Sequence, residues 1–188
     1  MPPWLIILLG YFLGNIPTAY IAGHLLKGRD IRQMGDGNMG AQNAFRQLGA
    51  RVGITVGIID ATKGALAVFI AQSSNQHQLV VLATGAAAIV GHNWPFFLHF
   101  RGGRGESTAI GVLTSLVTLP MLVLAVPTIL VLWRWRNVDK ASAVLFVPLS
   151  LLCWWFHYSP LLIGYSIGVP CLVGFTHYLR TRHHPARA

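Results

Sequence analysis

The stretch STAIGVLTSLVTLPMLVLAVPTILVLW, residues 107–133, decides how this chain is built. It runs without a single Asp, Glu, Lys or Arg. A helix crossing a bilayer needs about 20 apolar residues, so the stretch is long for one crossing and short for two. The flanking charges settle the count. With one crossing, Arg134, Arg136 and Lys140 fall on the opposite side from Arg101 and Arg104. With two crossings, as a tight hairpin near Leu119 and Pro120, every basic segment lies on one side: residues 27–51, 101–106, 134–140 and 180–188. Cytoplasmic segments carry the excess of Lys and Arg, so two crossings are predicted. One of them is expected to fall short of the full hydrocarbon core.

Working outward, residues 4–26, 52–72, 79–100, 141–158 and 160–179 form further apolar runs near spanning length. The prediction is an all-α integral membrane protein with seven transmembrane helices, its N-terminus outside and its C-terminus cytoplasmic. It is read as one membrane-embedded domain over residues 1–188. Of the 14 basic residues, only Lys63 lies inside a helix; the others fall in the cytoplasmic segments and the basic tail 180–188. The run 4–26 has no Lys or Arg before it and no small-x-small cleavage pattern, so it reads as a spanning helix and not a removable leader.

Composition removes other classes. A chain that is 54% apolar and 10% charged cannot be disordered. Two Cys, both in apolar runs, do not make a disulfide scaffold. A net charge of +9 invites a nucleic-acid reading, but so much apolar surface cannot be buried by a soluble domain of 188 residues, and no nucleic-acid partner is expected. No strand-like alternation supports a β-barrel.

Four polar segments carry the chemistry. The first runs Gly35-Asp36-Gly37-Asn38-Met39-Gly40-Ala41-Gln42-Asn43-Ala44-Phe45-Arg46. Its glycines let backbone N–H groups converge, its Asn residues add donors and acceptors, and Arg46 can fork onto a phosphate. A solvated Gly-rich loop has the same composition. The second, residues 91–108, contains His92 and the turn Arg101-Gly102-Gly103-Arg104-Gly105 ahead of a helix that Ser107 or Thr108 can cap. A helix N-terminus beside Gly and Arg favours phosphate. Topology alone would also place those arginines, and His92 reads equally as a satisfied core histidine. The third is Asp60-x-x-Lys63-Gly64 in the middle of a span. Residues three apart share a helix face, and a charge in hydrocarbon requires a partner, so an ion pair or a substrate contact is expected. The fourth, residues 134–142, combines headgroup-anchoring cations with Ser142, which can cap a helix or bind a ligand. Adjacent His183 and His184 lack Cys or carboxylate partners at metal-binding spacing, so no metal or cofactor is expected. The charges gather at one face and not at midplane, and no inverted repeat is visible, which argues against a transporter.

Over residues 8–178 the chain resembles the bacterial acyl-phosphate:glycerol-3-phosphate acyltransferases, the PlsY family. The resemblance is carried by Gly14-x-Ile16-Pro17-Thr18-Ala19-Tyr20, by the Gly35–Arg46 motif, by Asp60-x-x-Lys63-Gly64 and by Gly91-His92-Asn93-Trp94-Pro95 leading to Gly102-Gly103-x-Gly105. It implies a seven-helix enzyme of the bacterial cytoplasmic membrane, active at the cytoplasmic face. Such an enzyme moves an acyl group from acyl phosphate to the 1-hydroxyl of glycerol 3-phosphate, giving lysophosphatidic acid and phosphate. The donor phosphate would itself accept the hydroxyl proton.

The resemblance makes His92, Arg104 and His177 catalytic candidates. It makes Asp36, Gly37, Asn38, Gly40, Asn43, Arg46, Arg101, Gly102, Gly103 and Ser142 substrate-binding candidates. The chain departs from the family pattern at several of these places. Asp36 replaces Ser, Arg101 and Arg104 replace Lys, and Glu106 and Asp139 are further new carboxylates. Arg180 stands where the family's C-terminal motif has Asn. A carboxylate near a phosphate site repels the ligand unless it is paired. These departures leave a second reading, a weakened or inactive member that binds lipid phosphates.

Overall fold

A computed structural model describes residues 1–183, so residues 184–188 of the basic tail lie outside the described residues. All regular structure among the described residues is helical. Among the described residues, six helical stretches are long and apolar enough to cross a membrane: Pro3–Lys27, Ala50–Ser73, Gln78–Leu98, Thr118–Trp135, Val138–Trp155 and Pro160–Thr181. Their outward faces carry large apolar side chains such as Ile58, Phe69, Leu130 and Trp154, all exposed, as lipid-facing surface requires.

The decisive stretch breaks close to where the hairpin was expected. Helix α6 (Glu106–Leu116) ends before Val117, and α7 (Thr118–Trp135) follows. Pro120 sits in the first turn of α7, where a missing N–H costs nothing. With 11 residues, α6 is about 16 Å long, roughly half of a hydrocarbon core.

Two runs that read as single spans are interrupted. Residues 4–26 become α1 (Pro3–Gly14) and α2 (Thr18–Lys27). Pro17 cannot continue α1, and the break leaves Asn15 and the carbonyl of Ile16 free to bond elsewhere. The polar segment 27–51 holds a helix of its own, α3 (Ala41–Leu48), joined through Gly49 to α4 (Ala50–Ser73). Helix α5 (Gln78–Asn93) follows. Helices α8 (Val138–Phe146) and α9 (Leu149–Trp155) divide at Pro148, and α10 (Pro160–His183) closes the described chain.

The chain forms two compact units. The first comprises Met1–Val112 and the chain from Val173 onward. Within it, small residues bring helices into close contact. A Cβ on Gly14 would strike the backbone of Ala88, and one on Gly91 would strike the carbonyl of Tyr11, so α1 lies directly against α5. Gly111 meets Ala61 in the same way and sets the middle of α6 against α4. The second unit, Leu113–Leu172, packs α7, α8 and α9 around Met121, Leu124, Leu145, Leu149 and Cys153. Asn137 caps α8, its side-chain oxygen accepting from the Lys140 N–H at 2.9 Å.

Candidate active site

The site is assembled in the first unit from three chain segments that hold one another. The segment after α2 is fixed from within. Asp30 accepts from the Arg32 backbone N–H at 2.9 Å and from its guanidinium at 2.7, 3.0 and 3.1 Å. Burial alone would raise the Asp30 carboxyl, but the hydrogen bonds and charge of Arg32 outweigh it and hold the group below the usual carboxylate range. Asn43, fully buried on α3, shares its two amide hydrogens among the carbonyls of Ile31, Met34 and Asn38 at 3.2, 2.9 and 3.0 Å. Asp36 accepts from the Asn38 N–H at 3.1 Å, closing a local turn. Gly37 in this turn has φ +69°, a backbone geometry that favours glycine.

The second segment is the turn after α5. Its Gly102 and Gly103 N–H groups donate to the carbonyls of Asn93 and His92 at 3.1 and 3.0 Å, so it folds back over the end of α5. Helix α1 steadies it from the side. Tyr11 donates its hydroxyl to the Trp94 carbonyl at 2.9 Å, and Asn15, at the break, accepts from the Phe96 N–H at 2.9 Å. A Cβ on Gly103 would meet His92 Nε2 and, at 2.8 Å, the Met39 carbonyl, so only glycine lets the turn, the histidine and the first segment approach. The third segment is the end of α10. There Thr176 donates to the Arg104 carbonyl at 3.0 Å, and Arg180 donates to the Asn93 carbonyl at 2.6 Å.

Together these segments line a cavity of about 1080 Å³. Four arginines line it, Arg32, Arg101, Arg104 and Arg180, along with Asp30 and Asp36. Trp94, Leu98 and Leu179 supply an apolar part of the wall. Arg104 Nη2 lies 3.2 Å from Asp36 Oδ2, so this carboxylate is paired. Arg104 Nε and Asn38 Oδ1 are buried and make no hydrogen bond among the described residues, leaving one donor and one acceptor beside the cavity.

Beneath the turn lies a buried charge cluster. Lys63 Nζ contacts Asp60 Oδ1 at 2.8 Å, the Ile16 carbonyl at 2.9 Å and His92 Nδ1 at 2.9 Å. Thr18 donates to Asp60 at 3.0 Å. The ion pair expected from the i, i+3 spacing is therefore formed, and it uses the carbonyl released by the α1–α2 break. His92 Nδ1 also lies 3.6 Å from Asp60 Oδ1, so the ring joins both members of the pair, and its Nε2 lies on the side of Gly103.

Asp36, Gly37, Asn38, Arg101 and Arg104 all line the cavity. Gly40, Gly102, Gly103 and His92 are buried behind it, and Asn43 lies under the first segment. Arg46 is exposed on α3 and is not among the lining residues. His177 is half-buried on α10 next to Thr176. Ser142 belongs to the second unit, where its hydroxyl donates to the Val138 carbonyl at 2.8 Å. Sequence reasoning passed over Arg32 and Arg180 as site residues. The signal for Arg180 lay in the resemblance, since it stands at the Asn position of the family's C-terminal motif, one helical turn after His177.

Residues 4–186 match the family model of glycerol-3-phosphate acyltransferase. The chain is 48% identical over 180 residues to glycerol-3-phosphate acyltransferase 4 of Dehalococcoides mccartyi, covering 96% of this chain and 97% of that protein. This chain belongs to the glycerol-3-phosphate acyltransferase family. A further member, from Halalkalibacterium halodurans, is 38% identical and covers 93% of this chain and 87% of its own length. The fold matches the crystal structure of PlsY, an integral membrane glycerol 3-phosphate acyltransferase, in its glycerol 3-phosphate form. That match has a TM-score of 0.86 at 28% identity, over 96% of this chain and 90% of the other. The lysophosphatidic acid form matches with a TM-score of 0.80 at 27% identity.

Proposed function

We infer that this chain is a PlsY-type acyltransferase, moving a fatty acyl group from acyl phosphate to the 1-hydroxyl of glycerol 3-phosphate. The products are lysophosphatidic acid for phospholipid synthesis and inorganic phosphate. The observation that carries this reading is a cavity rich in guanidinium groups, bordered by apolar residues at the ends of spanning helices, in a chain of this family. Acyl phosphate is a mixed anhydride and already activated. The glycerol hydroxyl oxygen bonds to the acyl carbon, the bond from that carbon to the phosphate oxygen breaks, and the departing phosphate takes the hydroxyl proton. The protein's contribution is then alignment and charge stabilisation.

The roles divide by position. Arg101 and Arg104 clamp phosphate oxygens, and Asn38 with the backbone at Gly37 orients them. Asp36 keeps Arg104 inside the cavity until a phosphate displaces it. Gly40, Gly102 and Gly103 permit the close approach of the two loops, and His92 backs the turn. Asn43 fixes the first loop from below, and Arg46 adds positive charge outside the cavity. His177 and Ser142 keep substrate-positioning roles on the strength of the family resemblance. The cavity faces the cytoplasm in a seven-crossing topology with the N-terminus outside, α6 being the short crossing. The enzyme resides in the bacterial inner membrane. Purified protein in detergent or lipid, given palmitoyl phosphate and glycerol 3-phosphate, is expected to release phosphate and form lysophosphatidic acid in equal amounts. Absence of both products overturns the reading.

A further inference from the structure

The charges in the cavity are unequally committed. Asp30 engages Arg32 through its whole guanidinium edge, with contacts of 2.7, 3.0 and 3.1 Å. Asp36 engages Arg104 at 3.2 Å. Among the described residues those are the carboxylates of the cavity wall, and neither forms an ion pair with Arg180. Arg180 instead spends one Nη2 donor on the Asn93 carbonyl, at 2.6 Å. That carbonyl also receives the Gly102 N–H, so the guanidinium is anchored against the same turn that carries Arg101 and Arg104. A guanidinium has five donors in a rigid fork. One bond to the backbone fixes its plane and leaves donors and a whole positive charge for a ligand. Its neighbours in the wall, Thr176 and Leu179, come from the same end of α10.

We propose that Arg180 is a phosphate-binding residue of this enzyme, contributing an anchored and unneutralised guanidinium for a phosphate monoester dianion. The assignment rests on the acyltransferase reading above for the identity of its substrates, but it concerns binding and is tested by binding. Two phosphates enter the reaction, on the acyl donor and on glycerol 3-phosphate. Both present the same dianionic group, and a lipid-linked donor and a soluble acceptor are separable with different probes.

Titration calorimetry on the detergent-solubilised protein would use glycerol 3-phosphate in one arm and hexadecylphosphonate, a donor stand-in that cannot transfer an acyl group, in the other. Arg180→Gln removes the charge and leaves a shorter polar amide at the same position. It is expected to weaken at least one arm roughly 10- to 100-fold, the range for a lost charged hydrogen bond. Arg180→Lys keeps the charge and loses the fork, and is expected to retain more affinity than Arg180→Gln. Thermal unfolding of both variants should stay close to that of the parent protein. The arm that weakens identifies which phosphate Arg180 holds. If Arg180→Gln binds both probes as the parent does, or if Arg180→Lys is the weaker binder, Arg180 serves the backbone alone and the proposal is overturned. Binding that depends on Arg180 in a protein that forms no lysophosphatidic acid sinks the acyltransferase reading and leaves this one standing.

Discussion

Replacing Lys63 by Met tests the buried charge cluster directly. Lys63 is 4% exposed and Asp60 1%, so neither side chain can reach water without opening the helix packing. The substitution removes the contact of 2.8 Å to Asp60, the hydrogen bond of 2.9 Å to the Ile16 carbonyl and that of 2.9 Å to His92. Asp60 keeps the Thr18 hydroxyl at 3.0 Å. Removing one partner of a buried pair typically costs about 3–5 kcal/mol, because the other charge stays buried and uncompensated. The loss of the Lys63 donor to the Ile16 carbonyl adds to this, so a loss of about 4 kcal/mol or more is expected, against total stabilities of about 5–15 kcal/mol. The discriminating comparison is the double variant Asp60→Asn, Lys63→Met, which has no charge left to strand. It should recover about 2 kcal/mol of the loss or more. Unfolding in mixed micelles with increasing SDS, followed by Trp fluorescence, measures both. A double variant no more stable than the single one would show that the cost is not that of an unpaired charge, and the reasoning fails.

Other expectations follow from the site. Gly103→Ala places a Cβ against His92 Nε2 and the Met39 carbonyl; the displaced turn should lower kcat/KM roughly 100-fold in the acyl-transfer assay, as a shift of about 1 Å can. Asn43→Ala strips donors from three carbonyls and should destabilise the protein by about 2 kcal/mol in the same SDS titration, with increased proteolysis within residues 27–51. Asp30 is held below the usual carboxylate range by Arg32, so its contribution to stability is complete above its unfolded value near pH 4 and is lost as pH falls through the lower folded value. The stability difference between the parent and Asp30→Asn should therefore be constant above about pH 5 and shrink below about pH 4.

The apolar runs were legible because length and hydrophobicity are additive along the chain, and the break within residues 107–133 because the basic residues on either side of it call for an even number of crossings. The breaks at Asn15–Pro17 and at Pro148 were less so. Each lies inside a run whose mean hydropathy still suits a span, and a local proline changes hydrogen bonding without changing the average. Helix α3 was hidden for the opposite reason. Its eight residues are too short and too polar to register as anything but loop, yet Asn43 and Ala44 on its inner side are buried. The motif segments supply part of the cavity wall, but their spacing alone does not show which of their residues face it. Asn43 and Arg46 are three residues apart, yet one is buried under the loop and the other faces outward. Arg180 came from a distant helix, and only the fold brings its guanidinium to the carbonyl of Asn93.

The pairing of Asp60 with Lys63 within one helix bears on how the protein is made. Because the two side chains are one turn apart, their charges can offset each other as soon as α4 is helical, before α5 has been synthesised. A nascent α4 can thus partition into the bilayer with its own counter-ion already in place. The bonds from Thr18, and to Ile16 and His92, then come afterwards as the other helices dock. The charge that later braces the turn after α5 through His92 therefore need not obstruct insertion.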